Sequence, residues 1–422
     1  MSTESSIGTG SSIGTGSSKG NVSPYRWVIL ITTIPIIIAT EICWLTFSPI
    51  ASIIAGHYGV SGFAVDMLAT SYMIMFIVFC IPASYVIDRF GFRRSLVIGA
   101  LLTGVFGLTR AVFAGSFAMV AISQFLIAAG QPFLLNITTK AAVNWFPFEE
   151  RATADGLLTM AQYAGFAIPM VVSPILVESM GVQKMLFVFA VIGLAAMALV
   201  LMFVREKPAV PPPGPAYENV DFSAKTYASL FKNKQFVLAL AVAFISIGAF
   251  NTILTLIESI LLPRGITSAE AGIIGAAFVV AGVVGAIIIP TISDKMGVRR
   301  NFIMIAIMLT IPLYIGLTLV SNYVLLVAIA AAAGFAIMGA APIMFQHSSE
   351  VAYPAQEGTS LGLVLLMGQI SGTLFVLLFE ATSSLTGSIV VPMIGLIVLI
   401  AAGIPMLLAM KESDLARKNK GV

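Results

Sequence analysis

The heptapeptides Asp88-Arg89-Phe90-Gly91-Phe92-Arg93-Arg94 and Asp294-Lys295-Met296-Gly297-Val298-Arg299-Arg300 share one pattern and stand 206 positions apart. Each interrupts a long apolar run. The central glycine permits a tight turn, and the flanking cations can pair with the aspartate and with neighbouring helix C-termini. The same offset aligns Gly59 with Gly265 and Ser61 with Thr267. An offset of 207 aligns Pro147 with Pro354, Glu150 with Glu357, Gln162 with Gln369 and Gly165 with Gly372. Polar and glycine positions kept in register across an apolar background mark an internal duplication.

Composition tells what surrounds the repeats. Of 422 residues, 59% are hydrophobic and 10% charged, with a mean hydropathy of +1.02, against about 45–50% and about 25% in soluble domains. So few polar residues cannot cover a surface facing water, and the solvent is lipid. At roughly 20 apolar residues per spanning helix, there is material for roughly twelve. The apolar segments are 27–55, 64–87, 95–115, 118–140, 153–178, 184–204, 234–262, 268–293, 301–320, 323–346, 357–382 and 387–410. They predict an all-α membrane protein with twelve transmembrane helices in two six-helix, pseudo-symmetric halves. A soluble enzyme, a disordered chain and a nucleic-acid binder are excluded. Two such halves suit a monomeric secondary active or facilitative transporter, with its small organic solute held between the repeats near the bilayer midplane. A membrane receptor or sensor without transport is the alternative.

Residues 1–24, in which SSIGTG occurs at 5–10 and again at 11–16, are too poor in apolar side chains to offset chain entropy and are expected to form a disordered tail. A Pro-rich linker at 205–233 divides an N-terminal bundle, 25–204, from a C-terminal bundle, 234–410, which is followed by a tail at 411–422. Of the 22 Lys and Arg, only Arg110, Lys184 and Arg264 fall on the side remote from the two heptapeptides. The positive-inside rule then puts both termini and the linker in the cytoplasm of a multi-pass cell-membrane protein. Cys43 and Cys80 lie inside apolar runs, and His57 and His347 lie far apart, so neither a disulfide framework nor a metal set is implied. Nothing resembles the nucleophile–base pair or phosphate loop that an enzyme needs, and no cofactor is expected.

Polar groups inside membrane spans are costly and point to solute chemistry. Glu41, Trp44 and Ser48 recur at i, i+3 and i+7 and so share one helix face. Glu41 lies fourteen residues beyond Trp27, about 21 Å along a helix at roughly 1.5 Å per residue and well inside a hydrocarbon core about 30 Å thick. It reads as a counter-ion for a cationic solute, as a proton-coupling group or as a hydrogen-bonded structural glutamate. Trp44 reads as a stacking ring for the solute, as core packing or as an outer-belt residue. Gln131, Gln162, Asn251 and Gln369 are amides in apolar surroundings, serving either helix–helix hydrogen bonding or a shared cavity. Glu258, Glu380 and Arg264 fall near the outer ends of their segments, where a solvated or gating role is expected.

The heptapeptides resemble the D-R-x-G-x-R-R loop of the major facilitator superfamily, and the resemblance extends over about 27–410. It implies that Asp88, Arg89, Gly91, Arg93, Arg94, Asp294, Gly297, Arg299 and Arg300 gate the cytoplasmic side. Four further stretches resemble the feline leukaemia virus subgroup C receptor-related transporters. They are Tyr58-Gly59-Val60 through Asp66, residues 243–255 with the run GAFNTILTL, Val279-Val280-Ala281-Gly282, and Tyr353-Pro354 through Glu357-Gly358-Thr359-Ser360. This resemblance implies choline or ethanolamine as solute, with haem export also ascribed to the family, and places Trp44, Gln131, Gln162 and Gln369 around it. Asn251 stands where choline-carrying members have tyrosine, so one wall of a cation–π cage is expected to be missing. Glu41 is a second departure, and a carboxylate there could replace lost cation attraction or bind a proton.

Overall fold

A computed structural model describes residues 22–214, 223–353, 355 and 357–412. Most of the expected N-terminal tail, the linker residues 215–222 and the tail residues 413–422 lie outside the described residues. The helices are α1 (Tyr25–Leu45), α2 (Ala51–Tyr58), α3 (Gly62–Phe90), α4 (Phe92–Val112), α5 (Phe117–Leu135), α6 (Thr138–Trp145), α7 (Phe148–Phe203), α8 (Ala224–Lys232), α9 (Lys234–Thr255), α10 (Ile257–Leu261), α11 (Ser268–Met296), α12 (Arg300–Leu319), α13 (Tyr323–Ala352), α14 (Glu357–Thr386) and α15 (Val390–Ala409). Among the described residues, eleven helical stretches are long and apolar enough to cross a bilayer. One of them, α7, has 56 residues, or about 84 Å at roughly 1.5 Å per residue, more than twice a hydrocarbon core of about 30 Å. It breaks at Gly181, whose φ of 80° favours glycine. Each arm of α7 is long enough to cross by itself, which reconciles eleven stretches with the twelve spans expected.

Three expected segments prove discontinuous. Segment 27–55 ends its first helix at Leu45 and passes through a 3-10 turn at Ser48–Ile50 into α2, because Pro49 has no N–H to continue an α-helix. Segment 234–262 stops at Thr255 and restarts as α10. The break residues, Ile50 (φ −134°, ψ 23°) and Leu256 (φ −103°, ψ 20°), are 206 apart, so the duplication repeats a helix break as well as a loop. Segment 118–140 divides into α5 and α6 after Leu135. In the two heptapeptides, Gly91 and Gly297 have φ of 90° and 61°, the left-handed backbone that the turn asks of glycine.

Val78, Ile122, Val191, Ile287, Ile305, Leu378 and Val398 are exposed large apolar side chains on the outer surface, which a membrane would cover. Helices in lipid associate through close packing at small residues. Thus a Cβ on Gly334 would collide with the Phe278 carbonyl, and one on Gly285 with the Phe335 carbonyl, which lets α11 and α13 run in close contact. Across the halves, α3 packs on α14 and α7 on α11. The largest core cluster is drawn from the C-terminal half but also takes in Trp44, Tyr72, Phe166 and Met170, so the two repeats share one core around the central cavity.

Candidate functional site

A cavity of about 180 Å³ opens between the halves, walled by α1, α3, α5 and α7 on one side and by α9, α12, α13, α14 and α15 on the other. Trp44, Tyr72, Tyr163, Phe166, Phe250 and Phe345 give it aromatic walls; Gln131, Gln162, Ser246, Asn251, Thr310 and Gln369 are its polar side chains. Among the described residues, no charged side chain lines it. Five of the six expected binding residues therefore reach the wall.

The sixth, Glu41, stands behind it. Its carboxylate is fully buried and accepts hydrogen bonds from Gln131 Nε2 at 3.1 and 3.0 Å and from Gln162 Nε2 at 3.4 Å. No cation lies within ion-pair distance of it among the described residues. Gly165 makes the arrangement possible, since a Cβ there would lie 2.9 Å from the Ile38 carbonyl oxygen and crowd the Glu41 Cβ. Its repeat partner Gly372 does the same for the other half, where a Cβ would lie 3.0 Å from Asn251 Cβ. The paired glycines thus bring α7 against Glu41 and α14 against Asn251, although Glu41 and Asn251 are not themselves at equivalent repeat positions. Among the described residues, Asn251 Nδ2 is buried without a hydrogen-bond partner.

Trp44 is pinned by its indole N–H, which donates to the Ala69 carbonyl at 3.1 Å. Its ring stacks toward Tyr72 at 6.4 Å and meets Phe166 edge-on at 5.1 Å; Phe166 in turn neighbours Tyr163 at 5.9 Å and Phe250 at 6.4 Å. Phe250, one position before Asn251, and Phe166 line the cavity. Tyr72, Tyr163, Phe166 and Phe250 escape sequence reasoning because aromatic side chains carry no distinguishing signal in so apolar a chain.

At the end remote from the heptapeptides the halves are tied together. Glu258 accepts from Ser52 N at 2.7 Å, Ser52 Oγ at 2.6 Å and Ser268 Oγ, and Ser259 Oγ donates to Asp66 Oδ2 at 3.0 Å. Ser52 and Glu258 are 206 apart, so equivalent positions of the two repeats meet, each delivered by the short helix beyond its break. Glu258 is 0% exposed, which corrects the solvated role among those expected for it. Arg110, counted by sequence on the far side, is likewise fully buried within α4; it donates to Gln124 Oε1 and to Cys43 Sγ at 3.5 Å.

A family model described as Major Facilitator Superfamily matches residues 29–376, with a second match over 238–421. The chain belongs to that superfamily. It is 32% identical over 369 residues to an MFS-type transporter of Caenorhabditis elegans, covering 82% of this chain and 62% of that one. It is 28% identical over 423 residues to the choline/ethanolamine transporter FLVCR2 of Rattus norvegicus, covering 94% and 76%. The crystal structure of a bacterial homolog to the human lysosomal transporter Spinster, inward-facing and unoccupied, superposes with a TM-score of 0.65 at 18% identity, over 92% and 94% of the two chains, and shares the fold. As a superfamily member the protein is a multi-pass membrane transporter of a small solute, and the relatives it matches are carriers.

In this transporter the two heptapeptide loops are clasped by one unforeseen device. Glu206 accepts from Phe92 N at 3.1 Å and Arg93 N at 2.8 Å, while Glu412 accepts from Arg299 N at 3.0 Å and Arg300 N at 3.2 Å. Each acid follows the last helix of its half and caps a helix N-terminus, where the dipole favours negative charge. Their 206-residue separation was the available sequence signal. Burial pushes the Glu206 carboxyl above its ordinary range, opposed by the N–H groups of Arg93 and Phe92. The loops differ in their cations. Arg299 bridges Asp294 at 2.5 Å and Glu350 at 3.2 Å, whereas Arg89 lies over the Tyr85 and Phe90 rings and Arg94 over Phe90.

Proposed function

We propose that this transporter carries a small amine-bearing solute of the choline or ethanolamine kind by alternating access, with Glu41, Trp44, Gln131, Gln162, Asn251 and Gln369 forming the binding site. The observation that carries the reading is a buried carboxylate with no cation beside it among the described residues, joined through two amides to an otherwise uncharged aromatic cavity. An uncompensated charge in a low-dielectric interior is costly. Either a proton on Glu41 or a cationic solute against the amides relieves that cost, and the two compete. Proton-coupled exchange follows from that competition.

The bundles 25–204 and 234–410 rock about the cavity, with the Ser52–Glu258 contact closing one end. The loops at Asp88, Arg89, Gly91, Arg93 and Arg94 and at Asp294, Gly297, Arg299 and Arg300 gate the other. Lys and Arg distribution supports cytoplasmic termini and linker in a cell-membrane protein, and one chain supplies both halves of the site, which supports a monomer. The test is uptake of labelled choline and ethanolamine into proteoliposomes with and without a pH gradient. Saturable, gradient-sensitive uptake is expected; absence of uptake of both amines by folded protein would overturn the reading.

A further inference from the structure

The cavity distinguishes amines by their N–H groups. An amide has donors on one side and an acceptor on the other. Gln131 spends its Nε2 on both oxygens of Glu41, and Gln162 points its Nε2 at the same carboxylate. A carboxylate can only accept, so it dictates which way each amide faces. Both glutamines line the cavity while Glu41 does not, and among the described residues neither carbonyl oxygen has a protein donor or is a buried unpartnered atom. The carboxylate therefore leaves two carbonyl oxygens to the cavity. Gly165 brings α7 tight against the Glu41 Cβ, which keeps the base of the side chain in place.

The rings nearby are engaged with one another. Trp44 is flanked by Tyr72 and Phe166, and Phe166 by Tyr163 and Phe250. They offer a quaternary ammonium less free face than an open cage would, while the carbonyls offer an N–H a pair of acceptors.

We infer that Gln131 and Gln162, oriented by Glu41, form a two-acceptor subsite that selects protonated amines bearing at least two N–H groups over quaternary ammonium ions. The inference rests on the amine reading above and adds to it the group recognised. Glu41 acts as a positioning residue, felt by the solute through the amides. Hydrogen bonds to a charged donor contribute enough net free energy for about a tenfold effect each.

The test is binding of four probes to the purified full chain, followed by intrinsic fluorescence: ethanolamine, N-methylethanolamine, N,N-dimethylethanolamine and choline. Protonated, they carry three, two, one and no N–H groups. The first two are expected to bind alike, because both satisfy two acceptors, and affinity is expected to fall about tenfold at each of the next two methylations. Choline binding as tightly as ethanolamine would overturn the inference while leaving the amine reading intact. Failure of all four to bind would overturn both. In Glu41→Gln the amides are no longer forced to face one way, and the stepped pattern should flatten. A pattern that persists in that variant would overturn the role given to Glu41.

Discussion

Glu41 was legible in the sequence as an anomaly, a carboxylate deep in a span, but its setting was not. Which side chain lies beside it depends on Gly165 and on the packing of α7 against α1, a long-range fact that no local pattern reports. The consequence is that Glu41 stands behind Gln131 and Gln162, which separate it from the cavity, and on the proposed function it acts on the solute through them. Glu41→Gln should retain the fold, since an amide can keep one hydrogen bond to each neighbour, and should lose the pH-gradient-dependent part of ethanolamine uptake; uptake that still follows the gradient would count against the assignment. Trp44→Ala should weaken cationic solute binding by about 1–2 kcal/mol through lost cation–π attraction, measured by titration. Asn251 lines the cavity beside Phe250, an aromatic neighbour that the sequence alone did not single out.

At the scale of elements, the long apolar segments announced themselves and their interruptions did not. Hydropathy averaged over a window is blind to a short turn inside an apolar run. Pro49 marks the first break, but Leu256 has no proline or glycine to betray the second, and only its place 206 residues after Ile50 connects them. The breaks matter because they bring Ser52 to Glu258. A carboxylate accepting several hydrogen bonds in a dry contact contributes roughly 1.5–3 kcal/mol. Glu258→Gln should therefore shift the molecule about tenfold or more toward the form open at that end. A cysteine at Ser246, on the cavity wall, placed in a chain lacking Cys43 and Cys80, should be labelled correspondingly faster by an impermeant thiol reagent added from that side. Gly165→Ala should displace α7 from α1, costing roughly 1–3 kcal/mol of stability by overpacking and reducing solute affinity at least tenfold; unaltered binding would show that the close approach is incidental to the site.

For the whole molecule, the duplication carried most of what could be read: two halves, two loops at one end, and amides at matching depths. It also organises what could not be read, since the helix breaks, the Glu206 and Glu412 caps and the Gly165 and Gly372 approaches all recur at offsets of 206 or 207. Equivalent residues meet as Ser52 and Glu258, and in the proposed alternating-access cycle the halves separate there when the transporter opens at that end. A disulfide between Ser52→Cys and Glu258→Cys should abolish flux and leave solute binding intact, with flux restored by reductant. Flux through the cross-linked protein would exclude opening at that end.

The central claim is that one buried carboxylate is neutralised alternately by a proton and by the solute. Calorimetric titration of ethanolamine in two buffers of different ionisation enthalpy measures it directly. The account predicts release of up to one proton per amine bound, tighter binding as pH rises, and no release from Glu41→Gln. Proton-neutral binding of equal strength across that pH range would contradict it.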